Sequence, residues 1–374
     1  MGIHSGGPSR SVLSLTKGLR DISVDSVIIT NNDTTDSLIS TEPWIHAVPY
    51  HRNFLKYNHR FKRELQICDY ELFHVHSVFS YPSTIAMRVA EKRTIPFIVS
   101  PRGSLLKTAL SISSKWTKSA FNKFILIPDL NQAAAVHATS AEEMDDIFTL
   151  GVKRPVILLP NSIQLPRRES VSVHNSTFRV GVCGRINPIK NLDGILRAWS
   201  KAGMDKEPAE LVIIGEARLD RELSYLEELH KLETELQLRN VVWKGALFGK
   251  ELQRALESLS VLLLASHSEN FGMVVPESLA LGIPVIASHG TPWEDLVKTE
   301  SGWWIANSVE SMSNTLLEVF NLYSNNWERM NQMGKNGIQY VKDIYDSQTV
   351  ALKWKAAYSW LLENSQCPSF VYYP

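Results

Sequence analysis

Short runs of apolar and β-branched residues alternate along the chain with longer stretches in which apolar positions recur every three to four residues. In the first half the runs lie at 24–30, 71–76, 95–100, 133–139 and 155–159, and each predicts a strand. Helical spacing predicts helices over about 9–20, 54–66, 82–92, 113–125 and 140–150. Apolar strands separated by helices are the pattern of a parallel sheet covered on both faces. The alternation stops at 163–177, a polar stretch without a periodic apolar face, which reads as a linker. It resumes with strands at 178–183, 210–214, 240–243, 260–265, 284–287 and 302–305. Three helical stretches, 308–322, 326–343 and 346–363, then follow with no strand between them. The predicted fold is α/β: two doubly wound, Rossmann-like domains at 1–165 and 178–345, joined by a linker at 166–177 and followed by a helix and tail at 346–374. Ligands of such sheets sit beyond the C-terminal ends of the strands, so chemistry is expected in a cleft where the two domains face each other.

Composition removes several function classes. The 374 residues carry 39 Lys+Arg against 39 Asp+Glu, so the net charge is zero and a nucleic-acid partner is not expected. With 44% hydrophobic and 21% charged residues the chain is expected to be ordered. No run of 18 uncharged apolar residues occurs and the N-terminus lacks the layout of a signal peptide, so the expected location is cytoplasmic. Cys68, Cys183 and Cys367 are far apart and form no C-x-x-C pair, which argues against a disulfide framework or a zinc site. The neutral total hides an asymmetry. Residues 1–170 hold 20 basic and 15 acidic residues, and the remainder 19 and 24. Between 92 and 128 no acid occurs, while Lys92, Arg93, Arg102, Lys107, Lys115, Lys118 and Lys123 do. The helix predicted at 113–125 interleaves three of these lysines with Trp116, Phe121 and Phe124. That composition suits a peripheral contact with an anionic membrane surface as well as it suits a solvated helix with its aromatics packed inward.

Four segments carry candidate chemistry. In 266–288 an apolar strand runs into a polar loop holding Glu269, Asn270, Phe271 and Gly272, then into a helix that bears Glu277. Carboxylates suit sugar and ribose hydroxyls because each accepts several hydrogen bonds. Free N–H groups at the helix start, around Gly272, Met273 and Val274, suit a phosphate. In 180–191, Gly184 and Arg185 follow a strand directly and Lys190 opens the next helix, so two cations stand at the mouth of the sheet. Near the N-terminus, Gly6 and Gly7 precede Pro8 and an amphipathic helix, and their backbone can approach an anion or form a plain turn. His76 and Arg102 each end a first-domain strand, where a neutral imidazole can position a hydroxyl; His74 reads as a packed imidazole.

Taken in order, Gly6-Gly-Pro-Ser-Arg-Ser, His74-x-His, Ser100-Pro-Arg-Gly, Gly184-Arg-x4-Lys-Asn, Ser268-Glu-Asn-Phe-Gly-x4-Glu and Gly290-Thr-Pro-Trp resemble the family-4 retaining glycosyltransferases, in particular those of bacterial lipopolysaccharide, capsule or exopolysaccharide assembly. The resemblance spans about 5–362 and implies the GT-B fold, with an acceptor-binding first domain, a nucleotide-sugar-binding second domain and a last helix that crosses back onto the first. It implies that Arg185 and Lys190 bind the donor diphosphate and stabilise its departure. Glu269 would hold hydroxyls of the transferred sugar beside the backbone of Asn270, Phe271, Gly272 and Met273, and Glu277 the ribose. Gly184 would lie beside the donor, with Gly6 and Gly7 facing the phosphates or acceptor, and His76 and Arg102 standing on the acceptor side. The implied partners are a nucleoside-diphosphate sugar and a glycan or lipid-linked acceptor, with no cofactor and no essential metal. The chain departs from the family pattern where only Met1 to Ser5 precede Gly6, so the innermost strand of the first sheet is expected to be short or missing. Ala265-Ser266 and Pro160-Asn161-Ser162 also depart, without touching the charged motifs. A non-catalytic or truncated GT-B protein, and a nucleotide-sugar epimerase, are the alternative readings.

Overall fold

The computed structural model describes residues 7–33, 42–50, 58–105, 125–166 and 176–374. The chain divides into two compact units, one formed by 1–164 with 344–374 and the other by 165–343. The predicted helix at 113–125 and the centre of the predicted linker lie outside the described residues, as does Gly6.

In the first unit, strands β3 (Phe73–His76), β4 (Phe97–Ser100), β5 (Ala135–Ala138) and β6 (Val156–Leu158) form a parallel sheet. A short strand at Val371–Tyr372 adds to β6 antiparallel, giving the order 371–372, β6, β5, β4, β3. Strands β1 (Ile28–Asp33) and β2 (Ile45–Tyr50) pair in parallel as a separate two-stranded sheet. Among the described residues no strand joins that pair to β3. The predicted 24–30 strand thus begins later, at Ile28, and the helix predicted from 54 begins at His59 after an Asn58 cap whose side chain accepts from the backbone of Arg60 and Phe61. Helix Ser347–Glu363 buries Val350, Ala351, Trp354 and Ala357 at a three-to-four-residue spacing, in one cluster with Leu15 and Leu19 of helix Gly7–Asp21. Tyr345 belongs here too, since its carbonyl accepts the Ile163 N–H.

The second unit is a six-stranded parallel sheet built from β7 (Phe178–Cys183), β8 (Ala209–Ile214), β9 (Val241–Gly245), β10 (Val261–Leu264), β11 (Val285–Ser288) and β12 (Gly302–Ile305). Its order is β12-β11-β10-β7-β8-β9. The chain leaves β7 for β8 and β9 on one side, then returns to place β10 on the other side of β7. The reversal of strand order therefore falls between β7 and β10. All four residues of β10 are buried, which is why its sequence is an unbroken Val-Leu-Leu-Leu run rather than an alternation. Helix Leu192–Lys201 covers one face with Leu192, Ile195, Leu196 and Trp199, one stripe of the helix.

Candidate functional site

In the second unit the predicted donor residues collect at the reversal point. Gly184 and Arg185 follow β7, and Ser266 to Gly272 follow β10. Between them, Asn187 caps a 3₁₀ turn at Pro188–Lys190 by accepting the Ile189 N–H at 3.1 Å, and this turn delivers Lys190 to the β10 side. Lys190 Nζ donates to Glu269 Oε2, and Ser266 Oγ donates to the same oxygen at 3.3 Å. Both charged side chains remain about one-fifth exposed, so the pair is partly desolvated yet reachable. Gly184 makes room for this approach: a Cβ there would lie 3.3 Å from Lys190 Cε. Arg185 points outward, with a 66% exposed side chain.

The β10 loop is held in place by the loop after β11. Glu269 N–H donates to the Gly290 carbonyl at 2.8 Å, and Ser288 Oγ donates to the Ser266 carbonyl at 2.6 Å. A Cβ at Gly290 would stand 2.4 Å from the His267 carbonyl oxygen, so only glycine admits this contact. Trp293, 1% exposed, donates its indole N–H to the Phe271 carbonyl and stacks edge-on against the Phe271 ring at 5.4 Å. The Gly290-Thr-Pro-Trp segment is therefore the brace of the Glu269 loop, a role its sequence did not disclose. Gly272 turns the chain into helix Val274–Ala280, with Met273 at the cap position and Glu277 in its first turn. Phe271 and Met273 are buried and Asn270 is half-buried.

The first unit brings together His76 and Arg102. Arg102 follows β4 in the left-handed region, at φ 59°, and its guanidinium donates to His76 Nδ1 at 3.1 Å and to Asn161 Oδ1. Asn161, noted in the sequence only as part of the Pro160-Asn161-Ser162 loop, is thus a third member. Burial pushes the Arg102 pKa down to about 10. Glu143, fully buried, accepts the Gly103 N–H at 2.5 Å and the Thr139 N–H and hydroxyl at 2.9 Å each, which fixes the Arg102 loop to the helix after β5.

His74 faces the C-terminal helix instead. The Leu159 carbonyl can only accept, so His137 Nε2 carries the hydrogen at 2.8 Å and His137 Nδ1 accepts from Ser100 Oγ at 2.7 Å. Ser100 Oγ then accepts from His74 Nε2 at 2.8 Å, and His74 Nδ1 accepts from the Tyr358 hydroxyl at 2.9 Å. The chain of bonds fixes one tautomer for each ring. Burial holds both imidazoles neutral, His137 down to about 3 and His74 well below its ordinary value. Gly7 is the first residue of helix Gly7–Asp21. Among the described residues no group of three His, Cys, Asp or Glu is arranged to hold a metal ion.

Two family models match the chain: the glycosyl transferase 4-like domain over 6–162 and the glycosyl transferases group 1 over 167–340. Each half of the chain thus matches a glycosyltransferase domain family. Sucrose synthase 2 of Arabidopsis thaliana is 27% identical over 188 residues, which are 46% of this chain and 22% of that protein. The chain therefore spans about a fifth of that relative's length. Sucrose-phosphate synthase from Thermosynechococcus elongatus superposes with a TM-score of 0.78 at 19% identity, covering 96% of this chain and 94% of that one. Anabaena HepE, solved in complex with UDP and glucose, superposes with a TM-score of 0.72 at 15% identity, covering 95% and 96%. The fold of the chain is GT-B, with two Rossmann-like domains.

Proposed function

We propose that this glycosyltransferase takes a sugar from a nucleoside diphosphate and transfers it, with retention of anomeric configuration, to a glycan or lipid-linked acceptor in lipopolysaccharide, capsule or exopolysaccharide assembly. The observation that carries the reading is the Lys190–Glu269 pair at the point where the second sheet reverses its strand order, with Arg185 on the same loop after β7. A diphosphate leaving group gains negative charge as the glycosidic bond breaks, and fixed cations at that position stabilise it. Glu269, released from Lys190 when the phosphates arrive, accepts hydrogen bonds from sugar hydroxyls, while Glu277 serves the ribose and the backbone of Asn270 to Met273 lines the donor. Charge on the diphosphate is met by Arg185 and Lys190 with no metal. The departing phosphate oxygen takes the proton of the acceptor hydroxyl on the face it leaves, so no carboxylate nucleophile is required. His76 and Arg102 are assigned to the acceptor. The complex of Anabaena HepE with UDP and glucose supports a nucleotide-sugar donor. Among the described residues no helix is long and apolar enough to cross a membrane, and a peripheral, cytoplasmic-face location is proposed.

A screen of nucleotide sugars with the full chain, followed by product analysis, tests the reading. Transfer with retained configuration is expected from at least one donor, and hydrolysis or epimerisation of the donor with no transfer to any glycan acceptor would overturn it.

A further inference from the structure

Glu222 has no exposed surface, and it is one of two fully buried carboxylates among the described residues, with Glu143 of the first unit. It opens helix Asp220–Glu235, after β8, yet its side chain serves the loop after β7. One carboxylate oxygen, Oε2, accepts the backbone N–H groups of Arg218 at 3.0 Å and Leu219 at 3.3 Å, which caps its own helix. The other, Oε1, accepts the Asn187 side-chain amide at 3.1 Å and lies 3.8 Å from Arg185 Nη1. Asn187 is the residue that caps the turn bearing Lys190, and the Lys190 N–H in turn donates to the Asn187 carbonyl at 2.8 Å. One buried carboxylate thus touches the residue that aims Lys190 and faces the guanidinium of Arg185.

Glu222 stands at the third helical position, where a capping-box carboxylate reaches back to the N–H of the cap residue; that role occupies Oε2 and does not require the Oε1 contacts to Asn187 and Arg185. Burial would raise the Glu222 pKa. The Arg218 N–H, the Asn187 amide, the Leu219 N–H and the Arg185 charge outweigh it and hold the group below its ordinary value. The charge is therefore kept, and its outward half is spent on the 184–190 loop.

We propose that Glu222 is a positioning residue for the donor diphosphate, holding Asn187 and Arg185 so that Arg185 and Lys190 converge on the same phosphate groups. The proposal rests on the donor assignment above and deepens it. Two substitutions separate its halves. Glu222→Gln keeps an oxygen for the Arg218 and Leu219 N–H groups but turns an amide donor toward Asn187 and Arg185. Asn187→Ala leaves the Glu222 helix cap intact and removes the link to the loop together with the cap on the turn that bears Lys190.

The test is titration of the full-length protein and both variants with uridine or guanosine diphosphate and the matching monophosphate, alongside thermal unfolding and steady-state transfer. The expected result is that each variant loses about tenfold or more of its preference for the diphosphate over the monophosphate. The donor KM should rise with it, and the double variant should be no worse than the poorer single one. A Glu222→Gln protein that melts earlier but keeps the wild-type preference and KM would make Glu222 a helix cap only and overturn the proposal. Wild-type protein that prefers the diphosphate but transfers no sugar would overturn the transferase reading alone. Wild-type protein that binds neither nucleotide would overturn both.

Discussion

Lys190 and Glu269, 79 positions apart in the chain, meet as an ion pair in the second unit, each side chain about one-fifth exposed. Neither is buried enough for the pair to be a major source of stability. The pair instead holds a cation and a carboxylate ready at the mouth of the sheet. Lys190→Ala and Glu269→Ala are each expected to lower kcat/KM for transfer by at least about 100-fold, the scale of removing one preorganised electrostatic group. Melting temperatures should stay close to wild type. Steady-state kinetics with a saturating acceptor and a thermal melt check both halves of the statement.

Trp293 should show the opposite balance. Trp293→Phe keeps an aromatic ring against Phe271 but leaves the Phe271 carbonyl without its indole partner. Losing this hydrogen bond costs about 0.5–1.5 kcal/mol, which chemical denaturation would read as a lower midpoint with an unchanged slope. Gly290→Ala forces the next loop away from the His267 carbonyl and should lower both stability and donor affinity.

The buried imidazoles give stability a pH dependence whose sign is fixed. His137, 2% exposed, has a folded pKa of about 3, below its unfolded value of about 6.5. Between those values the unfolded chain binds the proton and the folded chain does not. Its contribution is therefore complete above about pH 6.5 and is lost as pH falls toward 3, at about 1.4 kcal/mol per pH unit. His74 and His76, also shifted down, act in the same direction. Denaturant midpoints measured from pH 7 to pH 4 should fall accordingly, and His137→Asn should flatten the slope by about one proton.

Tyr358→Phe removes the hydroxyl that donates to His74 Nδ1 and so opens the far end of the hydrogen-bonded series that runs through Ser100 and His137 to the Leu159 carbonyl. A loss of about 1–3 kcal/mol is expected. Hydrogen exchange should localise the loosening to helix Ser347–Glu363 rather than to the second unit.

Transfer should persist in excess EDTA, because the proposal assigns the diphosphate charge to Arg185 and Lys190. An activity assay before and after chelation, with added divalent ions as a control, checks this.

The strands of the second unit are legible because buried parallel strands are continuous apolar runs: 178–183 and 302–305 are found at their predicted bounds and the others within two residues. Strand Ile45–Tyr50 escapes that reading since His46 and Pro49 interrupt it, and Val371–Tyr372 is too short to show a period. The site is legible where charge follows a strand directly, as at Arg185 and after β10. Glu222 is hidden for the opposite reason. Helix Asp220–Glu235 carries many charged side chains, and nothing in their spacing marks the one whose surface is entirely removed from water. Trp293 and Asn161 share that difficulty, because each acts through a partner distant in the chain, Phe271 and Arg102 respectively.

The first unit is discontinuous, and this sets the order of synthesis against the order of the fold. Helix Ser347–Glu363, which covers the rings of His74 and His137, and the strand at 371–372 that extends the sheet beyond β6, both leave the ribosome after the whole of 165–343. The second unit, contiguous from 165 to 343, has every strand of its sheet in hand before the first unit receives its last helix. Until then Leu15, Leu19, Ile98 and Ile157 lack the Val350, Ala351 and Trp354 surface that buries them. The nascent chain thus carries an unfinished apolar face through most of its translation, the condition in which chaperones are recruited.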